Sequence, residues 1–307
     1  MKIFESLENI DSQQERGLTL GVFDGMHIGH RHLLEELMDV CREQSLRPAV
    51  FTFISPFGPE ENLRLLEIEE KYAILEEIGI EDVFVTNMTE EFRNISAYDF
   101  LKKFLQEKLN VKTLVVGEDA RFGAGAKGDV HLLAEFAAAE DFSYKVAADV
   151  LYRDEKVSSS RIRNCLYQGE LEAVTEMLTR PYKLKGVVEH GRAIGSRKGF
   201  PTANFRYPAK RARLHNGVYA TVAQCSAGVF PAVSNIGVSP TIEEETPLRV
   251  ETYLYDFDGL LYGEEIEVDF LSFIRPELRF ESMEELTEAV RADLENVWQW
   301  HQSRVVK

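Results

Sequence analysis

Apolar residues recur along the first half of the chain in two alternating rhythms. Short apolar runs at Leu18–Phe23, Ala49–Phe53, Asp82–Val85, Thr113–Val116 and Tyr144–Ala147 have the length of buried strands. Between them, apolar positions fall three and four apart over Arg31–Gln44, Ile68–Ile78, Ala97–Leu109 and Val130–Glu140, the spacing that gives a helix one buried stripe. Such alternation predicts an α/β fold with a parallel sheet and helices on both faces, where ligands bind beyond the carboxyl ends of the strands. Two short helical patterns follow, Ser158–Gln168 and Leu171–Leu178, divided by Gly169. Past Arg180-Pro181 the rhythm changes. Leu184–Glu189, Val218–Ala223, Val229–Val233, Arg249–Tyr255 and Ile266–Phe273 read as closely spaced strands, which predicts a small antiparallel barrel. One amphipathic helix, Met283–Trp300, closes the chain, with Ser282 and Glu285 at capping-box spacing. The expected organisation is one domain over 1–180 and a second over 181–307.

Composition narrows the class. Hydrophobic residues make up 44% and charged residues 28%, ordinary for a globular protein. No apolar run reaches the roughly 18–20 residues of a membrane span, and the N-terminus lacks the basic-then-apolar pattern of a signal peptide. Cys41, Cys165 and Cys225 are odd in number and scattered, so neither a disulfide framework nor a cysteine zinc cluster is expected and a cytoplasmic setting fits. The formal net charge is −17, with most of the acidic excess in the first 180 residues. That field repels nucleic acid and anionic lipid, so neither is expected as a partner and a nucleotide site there has to be local.

Two segments carry chemistry in the first half. Gly21-Val-Phe-Asp24-Gly25-Met-His27-Ile-Gly29-His30 lies where a strand gives way to a helix. A helix start offers unpaired N–H groups and the positive end of the macrodipole, which suits a phosphate. His27 and His30, three apart, share a face of the first turn and can steady charge building on a triphosphate. Taken alone they are also readable as metal ligands, with His32 nearby, or as structural residues. The second segment, Val157-Ser158-Ser159-Ser160-Arg161-Ile162-Arg163, puts hydroxyls and guanidinium groups at another helix start. There is no Walker A sequence, and the formal Gly-x-Gly-x-x-Gly match at Gly123–Gly128 reads as a flexible loop. Trp298 and Trp300 read as helix packing or a surface contact.

The first run resembles the signature of the nucleotidyltransferase superfamily in the form seen in bacterial FAD synthetases. The segment at 157–163 is similar to that family's Ser-Ser-Thr-x-Ile-Arg element, with Ser160 in place of threonine. Gly117-Glu-Asp119-Ala-Arg121-Phe122-Gly123 resembles its Gly-Glu-Asp/Asn-Phe-x-Phe-Gly loop. One loop departs: Thr52-Phe53-Ile54-Ser55-Pro56-Phe57 stands where the family has Thr-Phe-Asp-Pro-His-Pro, a loop that helps form the FMN and ATP site.

The second half is similar to the riboflavin kinase signature, through His190-Gly191-Arg-Ala-Ile-Gly195-Ser-Arg-Lys-Gly199-Phe-Pro-Thr202-Ala-Asn204-Phe205. Asn216-Gly217-Val-Tyr219, Ser234-Asn235-Ile-Gly237, Pro240-Thr241, Val250-Glu251-Thr-Tyr, Leu261-Tyr262-Gly263 and Arg275-Pro276-Glu277 follow in the family's order. Glycine-rich backbone can face phosphate oxygens, and the oxygens of Thr202 and Asn204 suit a hard cation such as Mg²⁺.

Together the two halves resemble the bacterial bifunctional riboflavin kinase/FMN adenylyltransferase family. The resemblance implies phosphorylation of riboflavin to FMN and adenylylation of FMN to FAD, with ATP as co-substrate and Mg²⁺. It gives Glu251 as catalytic base and His27 and His30 as catalytic groups. Gly25, Ser159, Arg161, Arg163, Gly191, Gly195, Gly199, Thr202 and Asn204 would bind ATP or its phosphates, with Thr202 and Asn204 holding the metal. Asp119 and Arg275 would contact the flavin. Two other readings stay open here: a riboflavin kinase with an impaired first domain, and a non-catalytic flavin-binding regulatory protein.

Overall fold

The computed structural model describes residues 1–5, 10, 13–53, 63–86, 89–189, 201–238 and 248–305. By contacts the chain divides into two compact units, Met1–Asn62 with Leu66–Ser159, and Leu63–Leu65 with Ser160–Lys307.

The first unit is built on six parallel strands: β1 (Lys2–Phe4), β2 (Arg16–Leu20), β3 (Arg47–Phe53), β4 (Asp82–Thr86), β5 (Val111–Gly117) and β6 (Ser143–Ala147). Their order across the sheet is β1-β4-β3-β2-β5-β6. From β2 the chain steps outward to β3 and β4, then returns to place β5 on the other side of β2. The order therefore reverses between β2 and β5, and in such sheets the crevice beyond those carboxyl ends takes the ligand. Helices α1 (Ile28–Gln44), α2 (Ile68–Ile78), α3 (Glu90–Arg93), α4 (Ala97–Asp99) and α5 (Val130–Ala139) make the connections. One core layer gathers Leu34, Leu37, Val50, Leu75, Val83 and Val115. The other gathers Phe51, Phe84, Phe100, Leu105, Leu114 and Leu133.

Several elements differ from expectation. The strand expected over Leu18–Phe23 is β2 and stops at Leu20; Phe23, with φ 53°, lies outside the extended region. The helix expected over Ala97–Leu109 winds as a π-helix over Phe100–Lys108. The segment read as a flexible loop is a compact turn. Phe122 and Gly128 exchange backbone hydrogen bonds of 3.2 and 2.9 Å, and Phe122 is buried. β1 was not expected, nor was the small hairpin β7 (Leu151–Tyr152) and β8 (Glu155–Lys156).

At the amino ends of the strands a buried ion network holds the sheet. Arg16 Nε donates to Asp82 Oδ2 at 2.8 Å with both side chains 1% exposed, and Arg47 reaches the other Asp82 oxygen at 2.9 Å. Arg16 also donates to the carbonyls of Gln14 and Leu109. Removing the carboxylate takes the ion partner from buried Arg16 and one of two from Arg47, which keeps Glu81, so Asp82→Ala should cost about 3–5 kcal/mol. Urea unfolding followed by fluorescence measures it, and an unchanged midpoint would contradict the assignment.

The second unit opens with α6 (Ser159–Gln168) and α7 (Leu171–Leu178). α7 buries Leu171, Val174, Met177 and Leu178 and packs on β9 and β14, so by packing the division falls at Ser159/Ser160 rather than at 180. β9 (Tyr182–Val187), β10 (Ala203–Arg206), β11 (Gly217–Cys225), β12 (Gly228–Val238), β13 (Leu248–Leu254) and β14 (Glu265–Pro276) form an antiparallel sheet ordered β10-β13-β12-β11-β14-β9. A bridge between Glu189 and Asn204 joins its two edges into a barrel. Alternation sends Leu184, Phe205, Ile236, Val250, Val268 and Phe270 inward, all fully buried. In the middle of that interior the hydroxyls of Thr221, Ser234 and Thr252 form a chain of 2.9 Å hydrogen bonds across three strands, so none is left unsatisfied.

The terminal helix α8 (Met283–Val305) packs Leu294, Val297 and Trp300 over the outside of β11 and β12. Trp298 lies against Tyr255 with ring centroids 4.9 Å apart, as helix packing predicts. Ser282 caps the Glu285 amide at 3.2 Å, but Glu285 reaches back to Glu281 rather than to Ser282, so only half of the expected box forms.

Candidate functional site

In the first unit, the run 21–30 leaves β2 through a turn with three left-handed residues: Phe23 (φ 53°), Gly25 (φ 85°) and Met26 (φ 45°). Two of the three are not glycine, a strain that persists only where the surroundings fix it. Phe23 and Met26 are fully buried and serve as anchors. The turn delivers His27 to the N-cap of α1, where its Nδ1 accepts from the His30 amide at 3.3 Å. The two imidazoles stack with centroids 3.7 Å apart. A Cβ on Gly29 would come 3.2 Å from His27 Nδ1, so the glycine leaves the ring its place. No acidic residue occupies the first turn of α1, which leaves the positive end of the helix available to an anion.

Burial, together with the charge of Lys156, lowers His27 to about 4 against a partial offset from a backbone hydrogen bond. Burial lowers His30 well below the usual imidazole range, with His27 and Lys71 adding repulsion. Both rings are therefore neutral at physiological pH, and the buried Nδ1 of His30 has no hydrogen-bond partner among the described residues. An arriving triphosphate would supply both the partner and a charge that favours the protonated forms.

Between about pH 6.5 and 4 an unfolded chain protonates His27 while the folded chain does not, so acid favours unfolding across that window. At pH 5 His27 alone should lower stability by about 2 kcal/mol relative to pH 7.5. Urea midpoints at the two pH values check this, and His27→Gln should reduce the difference by about that amount, leaving the part that His30 contributes.

The other first-unit motifs arrive at the same turn. Ser159 Oγ donates to the Asp24 carbonyl at 2.8 Å, joining residues 135 apart in sequence. Gly25 is buried within the turn. Asp119, beyond the carboxyl end of β5, is exposed and pairs with Lys156 at 2.6 Å, and Lys156 also holds Asp149 at 2.7 Å. Lys156, Lys71 and Thr52 were not expected at the site. Lys71 had a legible signal: it lies one turn before Leu75, on the buried stripe of α2. Ile54–Phe57 lie outside the described residues.

In the second unit, Arg161 and Arg163 are half-buried in the first turns of α6, and Arg163 Nε donates to the Leu63 carbonyl at 2.7 Å. Gly191, Gly195 and Gly199 lie outside the described residues, as do Pro240 and Thr241. Thr202, Asn204 and Glu251 come together. Asn204 on β10 stands directly opposite Glu251 on β13, and Glu251 in turn opposite Asn235 on β12. The three share the outer face of the barrel, since their neighbours Phe205, Thr252 and Ile236 point inward.

Asn204 is 8% exposed and its Nδ2 donates to Thr202 Oγ1 at 2.9 Å and to the Thr202 carbonyl at 3.0 Å. With the amide nitrogen committed to Thr202, the carbonyl oxygen is the group through which Asn204 could accept a cation. That oxygen and the Thr202 hydroxyl are the donor type a hard cation prefers, so the residues fit Mg²⁺. Glu189 braces the same corner: it accepts from Arg249 at 2.7 Å and pairs with Arg206 at 3.1 Å, while its amide donates to the Asn204 carbonyl at 2.7 Å. Arg275 is engaged elsewhere. Its guanidinium grips Asp293 of α8 with bonds of 2.8 and 2.6 Å, and a third bond reaches the Pro276 carbonyl.

Comparison with known proteins agrees in both halves. The family model for FAD synthetase matches residues 9–161 and that for riboflavin kinase matches residues 178–301. Proteins called bifunctional riboflavin kinase/FMN adenylyltransferase are similar over nearly the whole chain. The one from Buchnera aphidicola is 32% identical over 97% of this chain and 98% of its own. That from Bacillus subtilis is 31% identical over 92% of each. That from Escherichia coli K12 is 33% identical over 95% and 96%. A crystal structure described as a macrolide-efflux protein from Streptococcus pneumoniae, 26% identical, superposes with a TM-score of 0.87 over 97% of this chain and 99% of its own. Among the described residues of this chain no helix is long and apolar enough to cross a membrane.

Proposed function

This chain belongs to the bifunctional riboflavin kinase/FMN adenylyltransferase family, and from that premise we propose how its own residues carry the two reactions. It phosphorylates riboflavin to FMN with ATP and transfers AMP from ATP to FMN, giving FAD and pyrophosphate.

The kinase reaction belongs to the barrel, and the observation that carries its assignment is the direct pairing of Asn204 with Glu251. Glu251 accepts the proton of the ribityl 5′-hydroxyl as that oxygen attacks the γ-phosphorus of ATP and ADP leaves. A Mg²⁺ ion held by Thr202 and Asn204 would neutralise phosphate charge. Gly191, Gly195 and Gly199 are proposed to bind the ATP phosphates. Asn204→Ala should raise the Mg²⁺ needed for half-maximal FMN formation by about tenfold or more. A Mg²⁺ titration of the initial rate tests this, and an unchanged midpoint removes Asn204 as a ligand.

AMP transfer belongs to the first unit. An FMN phosphate oxygen attacks the α-phosphorus of ATP and pyrophosphate departs, with no covalent protein intermediate. The nucleophile is already ionised, so no strong base is required. The need is for stabilisation of the departing charge, which His27, His30, Ser159, the Gly25 backbone and the free start of α1 supply. Asp119 is proposed as a flavin contact. Arg275 is proposed to serve the flavin indirectly, by fixing the end of β14 against α8.

Incubation of the purified chain with riboflavin, ATP and Mg²⁺, followed by chromatography of the flavins, tests the whole reading. FAD is the expected product. FMN alone would confine activity to the barrel, and unchanged riboflavin would refute both assignments.

A further inference from the structure

Behind the left-handed turn lies a buried cation. Lys71 of α2 is 8% exposed. Its Nζ donates to the Thr52 hydroxyl at 3.2 Å and to the Val22 carbonyl at 3.3 Å, and the Thr52 hydroxyl itself donates to Val22 at 3.3 Å. Three elements meet there: α2, the end of β3, and the residue that immediately precedes Phe23. Leucine or methionine would fill a buried helical position without the cost of desolvating an ammonium group. The charge is kept at the one carbonyl from which the strained segment Phe23–Met26 departs. Left-handed Phe23 and Met26 need an anchor on their upstream side, since the downstream side is set by the N-cap of α1. The same ammonium is close enough to act electrostatically on His30.

We propose that Lys71 is a positioning residue for AMP transfer: by pinning the Val22 carbonyl it fixes the turn that sets His27 and His30 at the start of α1. This rests on the assignment of AMP transfer to the first unit. Lys71 does not touch the triphosphate. It acts through the backbone, so its loss should misplace the histidines in the transition state while leaving much of ATP binding in place.

The test uses the full chain, with both activities measured on one preparation. Lys71→Met should lower kcat for FAD formation from FMN and ATP by roughly tenfold to thirtyfold, a part of the ~10²-fold that a 1 Å misplacement can cost. KM for ATP should move by less than about threefold, and FMN formation from riboflavin should be unchanged. Lys71→Arg, which restores a cationic donor, should recover most of kcat. Thr52→Val, nearly isosteric, should give a smaller loss, and the Thr52→Val/Lys71→Met double variant should be no slower than Lys71→Met alone, as residues of one network behave.

A kcat for Lys71→Met within twofold of the parent overturns the proposal. So does an equal loss of both activities, or a Lys71→Arg variant as slow as Lys71→Met; either would assign Lys71 to packing alone. If the parent chain makes FMN but no FAD, the assignment of AMP transfer to the first unit fails and the proposal with it.

Discussion

Glu251→Gln should slow FMN formation by about 10²–10⁴-fold while riboflavin still binds, the range expected when a positioned general base is lost. Glutamine keeps the size and the hydrogen-bonding shape of the side chain but cannot accept the hydroxyl proton. The two strands that flank Glu251 place Asn204 and Asn235 beside it, so the variant leaves the packing of that face intact. The change should fall on kcat with little effect on KM for riboflavin, because the proton moves in the transition state and not in the ground state. FAD formation from supplied FMN should be unaffected, which separates a chemical defect from an unfolded chain. Steady-state rates by flavin chromatography decide the matter. A Glu251→Gln rate within tenfold of the parent would remove Glu251 from the role of base and leave ion positioning and ATP orientation as the barrel's main contributions.

His30→Ala should lower FAD formation from FMN and ATP by about 10²–10³-fold, with the kinase rate nearly unchanged. The imidazole is buried, neutral and stacked 3.7 Å from His27, so its removal takes a preorganised donor from the departing pyrophosphate and also the ring on which His27 rests. His30→Gln separates the two effects: it returns a hydrogen-bond donor but not a group that can gain a proton. A rate for the glutamine variant close to the parent would show that protonation of His30 contributes nothing. A loss as deep as that of alanine would place the effect in the charge that the imidazole can acquire.

Much of this was legible in the sequence, for reasons that can be named. Val111–Gly117 and Arg47–Phe53 are apolar on both faces, as central parallel strands must be, so their positions were readable within two or three residues. The barrel strands alternate cleanly because one face is interior and the other is not. What escaped was set by contacts distant in sequence. The buried stripe of α2 marks Lys71 as inward-facing, but only the fold brings it to Val22, 49 positions away. β10 spans four residues beside a glycine-rich loop, too short for periodicity to register, although it carries Asn204. The left-handed Phe23 beyond the end of β2 is a conformation that no propensity favours. Arg275 was readable as charged but not as paired, because Asp293 lies on a helix whose packing against β14 the sequence does not show.

Among the described residues, the barrel is closed along its β9/β10 edge by one bridge, Glu189 with Asn204, whereas every other strand pair is joined over at least four registered residues. A cylinder closed this way has a seam, and the seam runs beside the residues assigned to the metal. Thermal opening should start there, so the Glu189 amide should exchange with deuterium well before those of Val218–Val222 in the central strand. Any ligand that gathers Thr202, Asn204 and Glu251 around one charge also ties the seam, and the stability of the barrel should rise with nucleotide and Mg²⁺ more than contact area alone would give.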